Sequence, residues 1–134
     1  MKLQTMTIQM MKASLAFGCF AVFACFDVMA QAGAKVARCD IMSLPSQAVQ
    51  FSGKCVFQPE GGGSFSLSAI HQQDKLFGDI AVINVIVIEK GLAEVSGLVI
   101  DRAGGGHRSR WGQARRSTQD MACWEGVDFR ICAR

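Results

Sequence analysis

The residues best suited to bind a ligand lie in one basic stretch between residues 102 and 119. That stretch contains five arginines, one histidine and one tryptophan but no acidic residue. Guanidinium groups donate paired hydrogen bonds to carboxylate or phosphate, and an indole ring offers a stacking face. We therefore expect an anion-binding or protein-binding loop formed by Arg102, His107, Arg108, Arg110, Trp111, Arg115 and Arg116. The alternative is that the arginines have no ligand and only keep a glycine-containing loop exposed to water, while Trp111 packs back onto the domain.

Catalytic chemistry has less support, and the sequence predicts neither a catalytic residue nor a metal or cofactor site. His71 and His107 are far apart in the chain, and no GxSxG motif positions a serine nucleophile. Glu94 could serve a hydrolase only with a second carboxylate across the sheet. A small hydrolase using Glu94 or His107 is kept as an alternative to binding, as is a purely structural envelope protein.

The cysteines indicate two disulfide bonds in an exported domain. Beyond residue 30 the chain has Cys39, Cys55, Cys123 and Cys132, an even number in a small chain. Three pairings are possible, and we favour Cys39 with Cys55 and Cys123 with Cys132. A hairpin turning at 127–128 would place Cys123 opposite Cys132. Zinc is disfavoured because neither gap has the close CxxC spacing of a zinc site.

The first thirty residues have the pattern of a secretory signal peptide, with cleavage expected after Ala30. Lys2 and Lys12 precede an apolar block over residues 13–26, and small residues follow at the cleavage positions. A retained membrane anchor is disfavoured because the block is too short for a span. Acylation of Cys25 is a further alternative, and the true start codon is expected at Met10 or Met11.

Residues 31–134 are expected to form one small domain of nearly neutral charge. They contain twelve Lys and Arg against ten Asp and Glu. Overall charge therefore does not demand a polyanionic partner, and nucleic acid is further disfavoured because an exported protein rarely meets it. The expected partner is a protein or an anionic component of the envelope, with no transmembrane span.

The strongest structural signal is the apolar segment over residues 80–100, which predicts a central β-hairpin. Its two β-prone halves meet across a loop expected at Glu89, Lys90 and Gly91, so that Ile88 would face Leu92. One face would then be core, with Ala81, Ile83, Val85 and Val87 opposite Val99, Gly97, Val95 and Ala93. The other face carries a polar strip of Asn84, Glu94 and Ser96, so it is expected to be half wet.

Shorter strands are expected around this hairpin, connected by turns. They are predicted at 38–42, 47–51, 54–58, 64–70, 121–125 and 129–133, with a turn at 52–53, loops at 59–63 and 101–112, and a possible helical turn within 113–120. Antiparallel strands without a long helix make an all-β domain, either a small barrel or a sandwich, stabilised by disulfides.

The C-terminal third resembles small exported bacterial proteins without an assigned function. The resemblance is carried by Arg116-Ser117, Asp120, Ala122-Cys123-Trp124 and Ile131-Cys132-Ala133, with Gly53, Cys55, Phe57 and Gly63-Ser64-Phe65 upstream. It covers about half of residues 31–134, and its motifs are structural, so it supports the disulfide hairpin but implies no activity. Periplasmic lysozyme inhibitors are a looser comparison, in export, size, β-structure and a disulfide. The sequence as a whole predicts a secreted or periplasmic protein that acts by binding a protein or an anionic ligand.

Overall fold

The computed structural model describes residues 33–134, which form a closed barrel of eight antiparallel strands. The strands are β1 (Lys35–Ser43), β2 (Ala48–Gly61), β3 (Ser64–Ser68), β4 (Ile80–Glu89), β5 (Leu92–Ile100), β6 (Gly106–Arg116), β7 (Cys123–Glu125) and β8 (Phe129–Ala133). Each strand pairs with the next in the chain, and β8 closes the ring on β1. The predicted all-β antiparallel fold is thus confirmed, as a barrel. The signal peptide, its cleavage after Ala30, Cys25 acylation and the start codon lie outside the described residues.

The barrel interior is filled by apolar side chains from alternating strand positions. In β3, Phe65 and Leu67 are buried while the serines between them are only half-buried. In β1, Ala37, Cys39 and Ile41 are buried in the same way. Alternate side chains of a strand face opposite sides of the sheet, so this period of two gives each strand one core face and one outer face. No polar or charged side chain is buried among residues 33–134.

The central hairpin has the predicted register in its middle and departs from it at both ends. Ile83 pairs with Gly97, Val85 with Val95 and Val87 with Ala93, and both Ile83 and Val85 are fully buried. At the turn, however, Glu89 pairs with Leu92 in place of the expected Ile88. At the other end Ile80 pairs with Val99. The predicted register is counted outward from a three-residue loop, and such a count does not reveal bulges, which insert an extra residue in β4 near each end.

Three of the expected turns and loops are wholly or partly strand, and one of them is the loop expected at 59–63, whose residues 59–61 belong to β2. The expected turn at 52–53 is wrong, because β2 runs through it and Gly53 pairs with Cys39 of β1. The expected loop over 101–112 is also wrong, because only residues 101–105 form a turn before β6 begins. There the backbone N–H of Gly105 donates to Asp101 Oδ1 at 2.8 Å. Residues 113–116 also belong to β6, so the helical turn considered within 113–120 does not form there.

Both favoured disulfide pairings are present. Cys39–Cys55 joins β1 to β2 inside the barrel, where both residues are fully buried. Cys123 lies directly opposite Cys132 in the β7–β8 hairpin, with their Cα atoms 4.0 Å apart. This second bridge lies on the outer side of the barrel, since the neighbouring Trp124 and Ile131 face the core. Each bridge therefore fastens two adjacent strands.

The two ends of the barrel differ, and we name each by its tryptophan. At the Trp111 end, the connector over residues 69–79 folds inward and buries Leu76. Trp111 packs edge-on against Phe77 and Phe129, with ring centroids 6.3 and 5.5 Å apart. The Trp124 end has the turns at 62–63, 90–91 and 117–122, and a cavity opens there. Aromatic side chains thus fill much of the Trp111 end, where a pocket of about 390 Å³ remains, and leave a larger cavity of about 700 Å³ at the Trp124 end.

Candidate functional site

The structure distributes the predicted site residues over four locations. Arg102 lies exposed in the turn between β5 and β6. Trp111 is half-buried at the Trp111 end, and Arg116 lies at the rim of the Trp124 end. The remaining four are exposed along β6: His107, Arg108, Arg110 and Arg115. One strand thus carries most of the basic residues, but they do not form a single loop.

Trp111 packs into the barrel end, where it lines a pocket of about 390 Å³ together with the exposed Arg110. Its indole Nε1 is so close to Gly97 that a Cβ at that position would lie 3.2 Å away. Together with the Phe77 and Phe129 contacts, this makes Trp111 a packing residue of the barrel end. The backbone bulges here: β6 shifts register between the partners of Val95 and Ser96, and Gly112 has φ +101°. The indole faces inward because Trp111 alternates with the outward-facing Arg110, and the extra residue after it lets Ala114 face inward as well.

Arg108 and Arg110 border an open depression on the outer face of the barrel, which we call the arginine groove. In the strand register, Arg108 lies opposite Leu98 and Arg110 opposite Ser96. The groove has a volume of about 370 Å³ and is lined by Ile86, Ile88, Glu94, Val95, Ser96, Arg108 and Arg110. It therefore combines apolar side chains of β4 with two guanidinium groups of β6.

The charges of the groove are mostly open to solvent. Arg110 Nη2 lies 3.7 Å from Glu94 Oε2, but 80% of the Arg110 side chain is exposed. Such a surface pair contributes at most about 1 kcal/mol, because water screens it. Arg108 forms no ion pair within residues 33–134. Both guanidinium groups are thus available to an incoming carboxylate.

Sequence reasoning missed the apolar half of this groove. Ile86 and Ile88 are 44% and 50% exposed, which is unusual for large aliphatic side chains side by side on one strand. The sequence predicts both residues on the face of the hairpin that is partly exposed to solvent, and this exposure is the signal that could have indicated the groove. The sequence did not link them to Arg108 and Arg110, because β6 was expected to be a loop and only the β5–β6 pairing brings them together.

The residues considered for hydrolysis are not brought into a paired arrangement. Glu94 lies opposite Ile86 on one side and Gln113 on the other, so neither neighbour in register is a carboxylate. His107 is exposed opposite Val99. Within the described part of the chain, no group of three or more His, Cys, Asp and Glu residues is arranged to hold a metal ion.

A second cavity, of about 700 Å³, lies in the mouth of the Trp124 end. Its walls include Phe57, Phe65, Val87 and Trp124, and Arg116 lies at its rim. The sequence predicts Arg116 in the basic stretch over residues 102–119 but predicts no binding role for the other four residues. No sequence signal reveals this cavity, because its residues come from β2, β3, β4, β6 and β7 and meet only when the barrel closes.

The fold and these concave surfaces define a small disulfide-bonded β-barrel with cavities at its ends and a groove on its outer face. Comparisons with protein-family models, curated proteins and solved structures find no match to this chain. The resemblance to small exported bacterial proteins therefore stays a prediction. Among residues 33–134, no helix has the length and hydropathy needed to cross a membrane.

Proposed function

We propose that this protein is an exported binding protein that contacts an acidic surface of a partner protein through the arginine groove. The observation that carries the proposal is the placement of Arg108 and Arg110 beside the exposed Ile86 and Ile88 on one outer face. Binding surfaces typically combine arginine with apolar contact area. If these arginines served only to keep β6 in contact with water, no apolar surface would be expected beside them.

The shape of the barrel limits how a partner protein can bind. Within residues 33–134 each strand has a neighbour on both sides in a closed ring, so β-strand addition is restricted to stretches where a ladder is short, such as β6 before its Arg115 and Arg116 pairing with β7. Elsewhere a partner contacts an outer face, a turn or a barrel mouth. The arginine groove offers concave apolar surface on an outer face, and its positive rim favours an acidic partner by charge complementarity.

Export is supported by the disulfides and by the predicted signal peptide. Disulfide bonds persist in oxidising compartments, so the two bridges are typical of an extracytoplasmic protein. We place the protein in the periplasm or the secreted fraction, where its partner would be a protein or another anionic component of the envelope. A small free anion is a different occupant, and the test below separates it from a protein.

The proposal is tested by crosslinking the exported protein to its partner in a native envelope extract. Wild type should capture a defined acidic protein, and Arg108→Ser/Arg110→Ser should capture at least tenfold less, since truncating interface arginines commonly costs more than about 1 kcal/mol each. The matched control is Lys35→Ser/Lys54→Ser, which removes two exposed charges from β1 and β2. The control should capture as much as wild type.

The captured protein is then titrated against wild type and both variants in purified form. Affinity should fall as salt is raised, because the contact is charge-assisted. Equal capture by wild type and Arg108→Ser/Arg110→Ser would exclude the groove. So would loss of capture by both double variants, or binding of small anions such as phosphate or citrate in place of a protein.

A further inference from the structure

We propose that the cavity at the Trp124 end is a separate binding site for a small organic acid with an apolar body and one carboxylate. The site does not depend on the arginine groove, because its lining is different apart from Ile88. Barrel mouths are common places for small ligands, and eight-stranded barrels have room for one at most.

The walls of the cavity supply the apolar half of the site. Phe57 and Phe65 are stacked with ring centroids 4.8 Å apart, and Trp124 forms another aromatic wall. Phe65 and Trp124 are only 6% and 5% exposed, so their positions are fixed by the core. Because these rings are already held in place, binding of a ligand need not order them, and this lowers the entropic cost of binding an apolar body.

The rim supplies the charge for the carboxylate. Its charged residues are Glu89, Lys90 and Arg116, a net positive set. The Arg116 guanidinium lies 5.9 Å from the Trp124 ring, and its Nε donates to the Met121 carbonyl at 2.8 Å. Its terminal nitrogens have no acceptor among residues 33–134, so they can donate to a carboxylate above the ring.

The rim is also preformed, because the turn between β6 and β7 is held by hydrogen bonds. Ser117 Oγ accepts from the backbone N–H of Asp120 at 3.2 Å, and Asp120 Oδ1 accepts from that of Ala122 at 3.1 Å. Arg134 donates to the other carboxylate oxygen of Asp120. These bonds fix the Met121 carbonyl that orients Arg116, so binding need not order this turn.

Access to the cavity is open on the side of the β2–β3 turn. Gly62 and Gly63 both have positive φ, a conformation that favours glycine, and both line the cavity. A Cβ built on Gly62 would have no atom within 4 Å. This part of the rim consists of backbone alone, so no side chain obstructs entry there.

The two tryptophans of the sequence allow each end of the barrel to be monitored separately. Trp111→Phe leaves Trp124 as the reporter, and Trp124→Phe leaves Trp111. In the Trp111→Phe protein, we expect the Trp124 emission to change as octanoate or 3-phenylpropanoate is added and to reach a plateau when the site is full. Both acids are transparent at the excitation wavelength for tryptophan. Trp111 emission in the Trp124→Phe protein should stay unchanged. The two acids separate an acyl body from an aromatic one, and either supports the site.

The charge contribution is measured with matched variants and a matched ligand. Arg116→Gln should bind the acids at least tenfold more weakly, because a charge-assisted hydrogen bond is lost. Arg115→Gln removes the neighbouring charge on the exposed outer side and should bind like wild type. The uncharged 3-phenylpropan-1-ol should bind wild type and Arg116→Gln with equal, weaker affinity.

A second variant keeps the test decisive if Arg116→Gln fails to fold. Ala122 is half-exposed, lies outside any strand and lines the cavity, so Ala122→Phe should fill the site and abolish binding while circular dichroism stays native. The site is excluded if neither acid saturates Trp124 emission at millimolar concentration. It is also excluded if Arg115→Gln weakens binding as much as Arg116→Gln, or if Ala122→Phe binds like wild type.

Discussion

At the scale of single residues, the fit of Trp111 into the barrel depends on the missing side chain of Gly97. Gly97 has no positive φ that would demand glycine, so its role is space for the indole. A Cβ there would lie 3.2 Å from both Trp111 Nε1 and Ile80 Cδ1. The packing of the Trp111 end therefore requires glycine at this position of the strand.

We expect Gly97→Ala to lower the free energy of unfolding by about 1 to 3 kcal/mol, as overpacking of a filled core does. Urea denaturation followed by tryptophan fluorescence measures it. Gly53→Ala is the control, because a Cβ at Gly53 would make only ordinary contact, at 3.6 Å from Phe51. Gly53→Ala should be neutral or slightly stabilising. Equal unfolding midpoints for both variants would contradict this account of Trp111 packing.

At the scale of elements, the short β7–β8 hairpin depends on the bridge between Cys123 and Cys132. Strand β7 has three residues, and its partner β8 has five, so few ladder hydrogen bonds hold β7 in the ring. The barrel is closed through this hairpin, between β6 on one side and β1 on the other. The second bridge therefore stabilises the segment with the fewest backbone contacts.

Replacing this bridge with Cys123→Ala/Cys132→Ala should lower the free energy of unfolding by about 2 to 4 kcal/mol. Thermal unfolding by circular dichroism measures the loss. Alkylation before and after reduction, read by mass spectrometry, first checks that wild type has both bridges. If the double variant had the same melting temperature as wild type, the β7–β8 pairing would need no covalent support.

Strand β6 shows where sequence patterns stop predicting elements. The central hairpin could be predicted because two nearly continuous β-prone apolar runs, over residues 80–88 and 92–100, flank a short loop that ends in Gly91. In β6 the inward positions are small or bulged, as at Ser109 and Ala114, and the outward positions are arginines. Such a strand lacks the usual apolar alternation, so its composition resembles that of a loop.

At the scale of the whole molecule, the barrel is firmly packed along its strands all round the ring, since Ile41 of β1 and Ile131 of β8 are as fully buried as residues of β3, β4 and β5. Ile83, Val85 and Leu67 are fully buried, and Val95 is nearly so, whereas the turns at 71–75 and 101–105 are largely exposed. Neither cavity could be predicted from the sequence, because each is assembled from residues that only the closed ring brings together. The class of fold and the Cys123–Cys132 bridge could be predicted from the sequence because both depend on local patterns, whereas the Cys39–Cys55 pairing was favoured without such a pattern.

Amide hydrogen exchange should reflect this distribution. We expect slow exchange in strands that carry fully buried side chains, such as β4, and the fastest exchange in the turns at 71–75 and 101–105, since local opening is easiest where few apolar contacts are broken. Exchange followed by mass spectrometry of peptic fragments resolves these segments. Slower exchange in the turns than in β4 would contradict the packing described above.

The pairing of the first and last strands has a practical consequence for anyone handling this protein. The backbone N–H of Arg38 donates to the Arg134 carbonyl at 2.8 Å, and that of Arg134 donates back at 2.9 Å. Ala133, next to Arg134, lines the cavity at the Trp124 end. A purification tag or fluorescent fusion at residue 134 would therefore be tethered beside the cavity mouth and would compete with small molecules for access. Labels are better inserted at 103–104, at the far end of the barrel.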